Sequence, residues 1–144
     1  MPTLLIRNAD CIATLDDART ELRGASILVR DGFVESIGLA DQLPLVADRV
    51  IDARGHVVVP GLVNTHHHMY QSLTRAFPGG QDAQLFNWLT SLYPIWARLQ
   101  PEMITVSTLT AMSELILAGC TTASDHLYIF PNGCKLDDEI QAAT

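Results

Sequence analysis

At 144 residues, 48% of them hydrophobic and 17% charged, the chain can bury an ordinary core and lacks the composition of a disordered segment. Nine Lys and Arg against sixteen Asp and Glu give a formal net charge of −7. That balance argues against nucleic acid or anionic lipid as a partner, though not against a nucleobase-sized substrate. Cys11, Cys120 and Cys134 are odd in number and widely spaced, which points to reduced thiols in a cytoplasmic protein rather than to a disulfide framework or zinc ribbon. Leu4-Leu5-Ile6 is cut short by Arg7, so no secretory leader is read, and no apolar run reaches the roughly 18 residues of a membrane span.

Residues 1–59 read as short strands of a small β-sandwich domain. Leu4 to Leu15 forms the first, with Asp16-Asp17 as its turn. Ala25–Arg30 and Phe33–Gly38 flank Asp31-Gly32, a hairpin signal because both turn residues tolerate positive φ. A second hairpin is expected from Arg49–Ala53 and His56–Val59 around Arg54-Gly55, a weaker turn because Arg is disfavoured at positive φ. His56 reads as a surface or packing residue.

The chain then passes through Val57-Val58-Val59-Pro60-Gly61-Leu62-Val63-Asn64-Thr65 into His66-His67-His68. Strand alternation places His66 and His68 on one face, about 6.6 Å apart along the backbone, and turns His67 away. Two imidazoles so placed can lean onto one divalent ion at bonds of about 2.0–2.1 Å; the competing reading is a solvated, idle histidine run. Zinc requires further ligands in either a structural or a catalytic site, so the pair alone leaves a site incomplete. An apolar, β-branched run ending in polar residues suits a buried strand whose C-terminal end carries chemistry.

Residues 60–144 change character. Met69 to Gln81 reads as a loop around Pro78-Gly79-Gly80. Leu85, Trp88, Leu89, Leu92, Ile95, Trp96 and Leu99 then recur at helical spacing, with Pro94 expected to kink or split the segment. A second helix starts with Pro101 and Glu102; its apolar stripe runs through Met103, Ile104, Val106, Leu109, Met112, Leu115 and Ile116, and Gly119 stops it. Cys120 to Tyr128 reads as another strand, Pro131-Asn132-Gly133 as a turn, and Leu136 to Thr144 as the start of a third helix. This is the βαβ order of a parallel sheet, with His66, His68, Asp125 and His126 on its C-terminal rim.

Pro60 to His68, preceded by a small β domain, resembles the amidohydrolase superfamily. His66 to Arg75, with Leu85-Phe86-Asn87-Trp88-Leu89, Leu92-Tyr93-Pro94-Ile95-Trp96, Ser124 to Tyr128 and Pro131 to Cys134, is similar to the 8-oxoguanine deaminase and hydroxyatrazine ethylaminohydrolase branch. The resemblance implies an α/β fold, a metal-dependent hydrolase (β/α)8 TIM barrel with the small β domain at its N-terminus. One divalent metal is implied, usually zinc, with His66 and His68 as ligands. The implied reaction is deamination of 8-oxoguanine or a related purine or triazine-like amino-heterocycle, by attack of metal-bound hydroxide on the amino-bearing ring carbon with release of ammonia. Gln71 matches the position of an amide set against the base edge, where it can offer both a donor and an acceptor. Pairing into a homodimer is also common in such barrels.

A complete barrel takes roughly 250 residues, so the chain reads as the β domain and first two barrel strands of a longer enzyme. Its acid/base residues are expected beyond Thr144, and none is assigned here. The stretch alone is expected to be inactive. Related guanine, cytosine, triazine and chloride-releasing hydrolases are the competing enzymes, and a degenerate interaction fragment is the non-enzyme alternative. Trp88 is read as either a wall beside a flat ring or core, and Trp96 as core. Asp125 is read as either a carboxylate orienting a ligand imidazole or a structural hydrogen bond, and for His126 a substrate contact stays open. Tyr70 and Arg75 are weaker loop candidates. The compact zinc deaminases' His-x-Glu and Pro-Cys-x-x-Cys and the metalloprotease His-Glu-x-x-His are absent.

Overall fold

The computed structural model describes residues 2–44 and 46–144, and its chain divides into two compact units, Met1–Pro60 and Gly61–Thr144. In the first unit, β1 (Thr3–Ala9), β4 (Ala25–Arg30), β5 (Phe33–Leu39) and β6 (Arg49–Asp52) form one sheet in the order β5-β4-β1-β6. The short strands β2 (Cys11–Ala13), β3 (Glu21–Leu22) and β7 (Val57–Val58) form a second, in the order β3-β2-β7. Asp31 and Gly32 take φ of 51° and 83°, the left-handed pair that a two-residue turn between right-twisted strands demands, and β4 and β5 pair antiparallel across them. Neighbouring residues feed opposite faces of the larger sheet. Ile27 packs with Ala9, Ile12, Ala25 and Ala53, whereas Leu28 packs with Leu5 and Leu43.

Two expectations for this unit are corrected. The long first strand breaks at Asp10, between β1 and β2, after an irregularity within β1 at which Asn8 adopts a positive φ of 61°. The second hairpin does not form. The turn at Arg54-Gly55 is present, with His56 N–H donating to Ala53 O at 3.0 Å, but β6 pairs parallel with β1 and β7 pairs parallel with β2. Residues 49–58 thus follow the broken first strand from one sheet into the other instead of folding back on themselves.

In the second unit, β8 (Leu62–Asn64) pairs parallel with β9 (Cys120–Ala123). Gly61 leads into β8 where any Cβ would collide with the Thr121 side chain, so the close approach of the two strands requires glycine there. Between them lie a 3₁₀ segment at Met69–Thr74, α1 (Leu85–Trp96) and α2 (Pro101–Leu117). Pro94 neither splits nor ends α1 at the preceding residue. It sits in the last turn, where the helix stops two residues later and few hydrogen bonds remain to be lost. α3 (Leu136–Ala143) closes the chain. Asn132, in the turn before it, donates from Nδ2 to the carbonyls of Ala97 and Leu99, both at 2.9 Å, satisfying backbone acceptors beyond the end of α1.

The apolar stripe of α2 lies differently from expectation. Met103, Val106, Leu109 and Ile116 are exposed, and the buried face is Ile104, Ser107, Thr108 and Ala111. Small side chains on that face let the helix lie close to the Met69–Thr74 segment and to α3. Their hydroxyls return to the helix's own carbonyl at Ile104, both at 2.9 Å, so burial leaves them satisfied. The core of the unit is Tyr70, Leu92, Trp96, Leu99, Ile104 and Cys134. Among the described residues no helix is long and apolar enough to cross a membrane.

Candidate metal and substrate site

The histidines lie just beyond the strand. β8 ends at Asn64, and the apolar run before them belongs to two elements, β7 and β8, on either side of Pro60. The strand's ladder nevertheless continues outward. Ser124 N–H donates to Asn64 O at 2.8 Å and His126 N–H to His67 O at 3.0 Å, while Asn64 Oδ1 accepts the His66 N–H at 3.1 Å. The two segments stay bonded but slip in register, since these bonds advance three residues on one side, Asn64 to His67, and two on the other, Ser124 to His126, and His68 takes φ −132° and ψ 84°.

His66 Nε2 and His68 Nε2 come to 3.1 Å, with the rings edge to face at a centroid distance of 4.8 Å. At metal–nitrogen bonds of about 2.0–2.1 Å, nitrogens that far apart subtend roughly 95–102° at a shared ion, close to tetrahedral. The tautomer fits as well. His68 Nδ1 donates to His126 O at 2.9 Å; a carbonyl only accepts, so in the neutral ring the Nε2 lone pair is free for a cation. Among the described residues no group of three His, Cys, Asp or Glu side chains is placed to hold an ion. The pair is therefore a partial donor set.

His67 turns away from the pair. Its Nδ1 stands 3.9 Å from Asp125 Oδ1, and that same carboxylate oxygen accepts the Met69 N–H at 2.6 Å. Asp125 thus fixes the backbone next to His68 rather than orienting a His68 or His66 ring; the backbone carbonyl of His126 does that. His126 has its own Nδ1 3.3 Å from His67 O and its ring 4.9 Å from His66 and 5.6 Å from His68.

Beside the pair is an open cavity of about 350 Å³ whose lining includes all three histidines, His66, His67 and His68, with Gln71 and Trp88. Gln71 Nε2 donates to the phenol oxygens of Tyr70 at 3.1 Å and Tyr128 at 3.3 Å. Trp88 lines the cavity and packs against Trp96 at a centroid distance of 5.3 Å. Trp96 is fully buried and donates from Nε1 to Thr74 Oγ1 at 3.0 Å, tying α1 to the segment that carries Gln71. Tyr70 belongs to the core, and burial pushes its phenol up, so it remains protonated. Arg75 also lines the cavity and pairs with Glu114 at 2.7 Å on an exposed surface.

Two residues were not legible as site residues. Tyr128 sets its ring at right angles to His68, with centroids 5.2 Å apart; the signal that could have found it is its place two residues after His126 on an extended segment, hence on the same side. Glu139 is 6% exposed on α3, where burial and the neighbouring Asp125 carboxylate raise its pKa from 4.5 to about 7. Asp125 Oδ2 and His67 Nδ1 are buried without protein partners among the described residues. A protonated Glu139 can donate to Asp125, which accounts for the orphaned oxygen.

A βαβ start with paired imidazoles on its rim fits the resemblance read from the sequence, and the family comparison agrees. The chain belongs to the amidohydrolase family, whose sequence profile matches residues 57–137, more than half of it. It is 50% identical over 117 residues to an 8-oxoguanine deaminase from Pseudomonas aeruginosa, covering 81% of this chain and 26% of that protein. To a hydroxydechloroatrazine ethylaminohydrolase from Pseudomonas sp. (strain ADP) it is 40% identical over 140 residues, 89% of this chain and 29% of the other. In structure it is similar to atrazine chlorohydrolase TrzN from Arthrobacter aurescens TC1 complexed with zinc, at a TM-score of 0.86 and 29% identity, covering 97% of this chain and 33% of that one. The β unit and the β8–helices–β9 unit are thus the N-terminal part of the amidohydrolase fold. The chain spans about a quarter to a third of the length of these relatives.

Proposed function

We propose that this chain supplies the first metal ligands and one wall of the substrate cavity of an aminohydrolase acting on 8-oxoguanine or a closely related amino-heterocycle. The observation that carries the proposal is the convergence of His66 Nε2 and His68 Nε2 to 3.1 Å at the cavity, with the His68 tautomer set by a backbone carbonyl. The zinc in the TrzN structure supports zinc as the ion, and the 8-oxoguanine deaminase relative supports the substrate. When bound, a divalent ion supplies an activated water at neutral pH.

This chain's residues hold and orient. His66 and His68 present lone pairs, with His126 O fixing one ring. Trp88 offers a flat apolar wall, and Gln71 a hydrogen-bonding edge. Ammonia release from guanine, 8-oxoguanine, cytosine and amino-triazines by the protein expressed from its full reading frame tests the reading. Release from 8-oxoguanine above the others is expected, and release from none contradicts it. Chloride release from a chlorotriazine would favour the activity named for the TrzN structure.

A further inference from the structure

Gln71 has a fixed orientation that the cavity lining alone does not explain. Its Nε2 is spent on two phenol oxygens, Tyr70 at 3.1 Å and Tyr128 at 3.3 Å. An amide nitrogen has two hydrogens, so both are committed and Oε1 is left as the group the amide can still offer. Tyr70 cannot adjust, being fully buried against Trp96 and Tyr128 at centroid distances of 5.3 and 5.5 Å. Tyr128 reaches two parts of the site at once. Its hydroxyl meets Gln71, and its ring stands at 90° to His68, 5.2 Å centroid to centroid. Two residues before it, the His126 carbonyl holds the other side of the same imidazole. One short stretch, 126–128, therefore touches both the His68 ring and the Gln71 amide.

We propose that Tyr128 is a positioning residue that couples the two halves of the site, holding the His68 ring with its own ring and turning the Gln71 carbonyl oxygen toward the substrate with its hydroxyl. This rests on the reading of Gln71 as substrate-facing. It adds a statement about specificity: the edge of the heterocycle that meets Gln71 carries an N–H, as in a lactam or urea-like ring, rather than a bare ring nitrogen. A site whose acceptor is fixed in place rejects a ring lacking the hydrogen, because the acceptor would be left unpaired.

The test uses the metal-loaded protein from its full reading frame, with metal affinity read by competition with a chromophoric chelator and steady-state kinetics on the substrate found in the panel above. Tyr128→Phe keeps the ring and loses the hydroxyl. It is expected to raise KM about five- to tenfold, with kcat within about twofold and metal affinity unchanged. Tyr128→Leu loses both and is expected to weaken metal binding by about tenfold as well. Gln71→Leu is expected to raise KM at least about tenfold. Unchanged KM in Tyr128→Phe or in Gln71→Leu would overturn the proposal. Protein that binds metal but releases no ammonia from any substrate removes the deaminase reading instead. The Tyr128 claim then stands or falls on the metal comparison, where equal affinity in Tyr128→Leu and wild type would overturn it.

Discussion

The two units bury different chemistry. Residues 1–60 close over Leu5, Ala9, Ile12, Ala25, Ile27, Leu28 and Ala53, with Ser26 the one buried polar residue among those described. Residues 61–144 bury Ser107, Thr108 and Glu139 beside Tyr70 and Trp96, and hold His67 Nδ1 buried without a partner among the described residues. An apolar interior stabilises without committing to a ligand. A polar interior costs desolvation unless its groups are paired or poised for a ligand, and the second unit's irregularities lie beside the proposed site.

The contrast can be broken most severely at the histidine pair. On the proposed reading, His68→Ala abolishes most of the ammonia release of the protein from its full reading frame while leaving the urea midpoint nearly unchanged, because His68 is only partly buried. In the first unit the pattern inverts. Leu28→Ala, in a residue 4% exposed, should cost about 2–5 kcal/mol in urea titration and leave metal affinity as it was. A metal effect from Leu28→Ala, or a large stability loss from His68→Ala, would dissolve the division of labour.

The buried carboxyl gives the polar interior a pH signature. Because Glu139 is raised from 4.5 to about 7 in the fold, its contribution is fully present below pH 4.5, where folded and unfolded forms are both protonated. It is lost as pH rises through about 7. Stability should fall by a few kcal/mol across that window, and Glu139→Gln, which keeps a donor for Asp125, should flatten the fall. An unchanged slope in the variant would show that another group is responsible. The smallest effect belongs to the first unit's hairpin. Gly32→Ala, at φ 83°, should cost about 1 kcal/mol in the same titration through backbone strain alone.

Much of this arrangement was legible in the residues. Alternation was read to put His66 with His68, and their Nε2 atoms do meet, although β8 stops at Asn64 and the bonds beyond it, Ser124 to Asn64 and His126 to His67, slip in register. Asp31-Gly32 announced its turn through two residues that tolerate positive φ. Pairings between segments distant in sequence were less visible. Nothing in residues 49–58 distinguishes a local hairpin from strands adding in parallel to β1 and β2, since both satisfy the same local pattern. On α2 the face that packs within these residues carries Ile104, Ser107, Thr108 and Ala111, and most of the apolar stripe read from the sequence lies outward in a chain that spans about a third of its relatives. Glu139 was hidden among Asp137 and Asp138 in the first turn of α3, where acidic residues are ordinarily solvated and favourable to the helix dipole.

The central claim is that His66 and His68 hold the ion and His67 does not. Zinc retained per chain after dialysis against a moderate chelator, measured for the wild-type protein and for His66→Ala, His67→Asn and His68→Ala, tests it most directly. Retention in the wild type and His67→Asn with loss in the other two is the result expected. Loss from His67→Asn equal to that from His66→Ala, or full retention in His66→Ala or His68→Ala, would contradict the account.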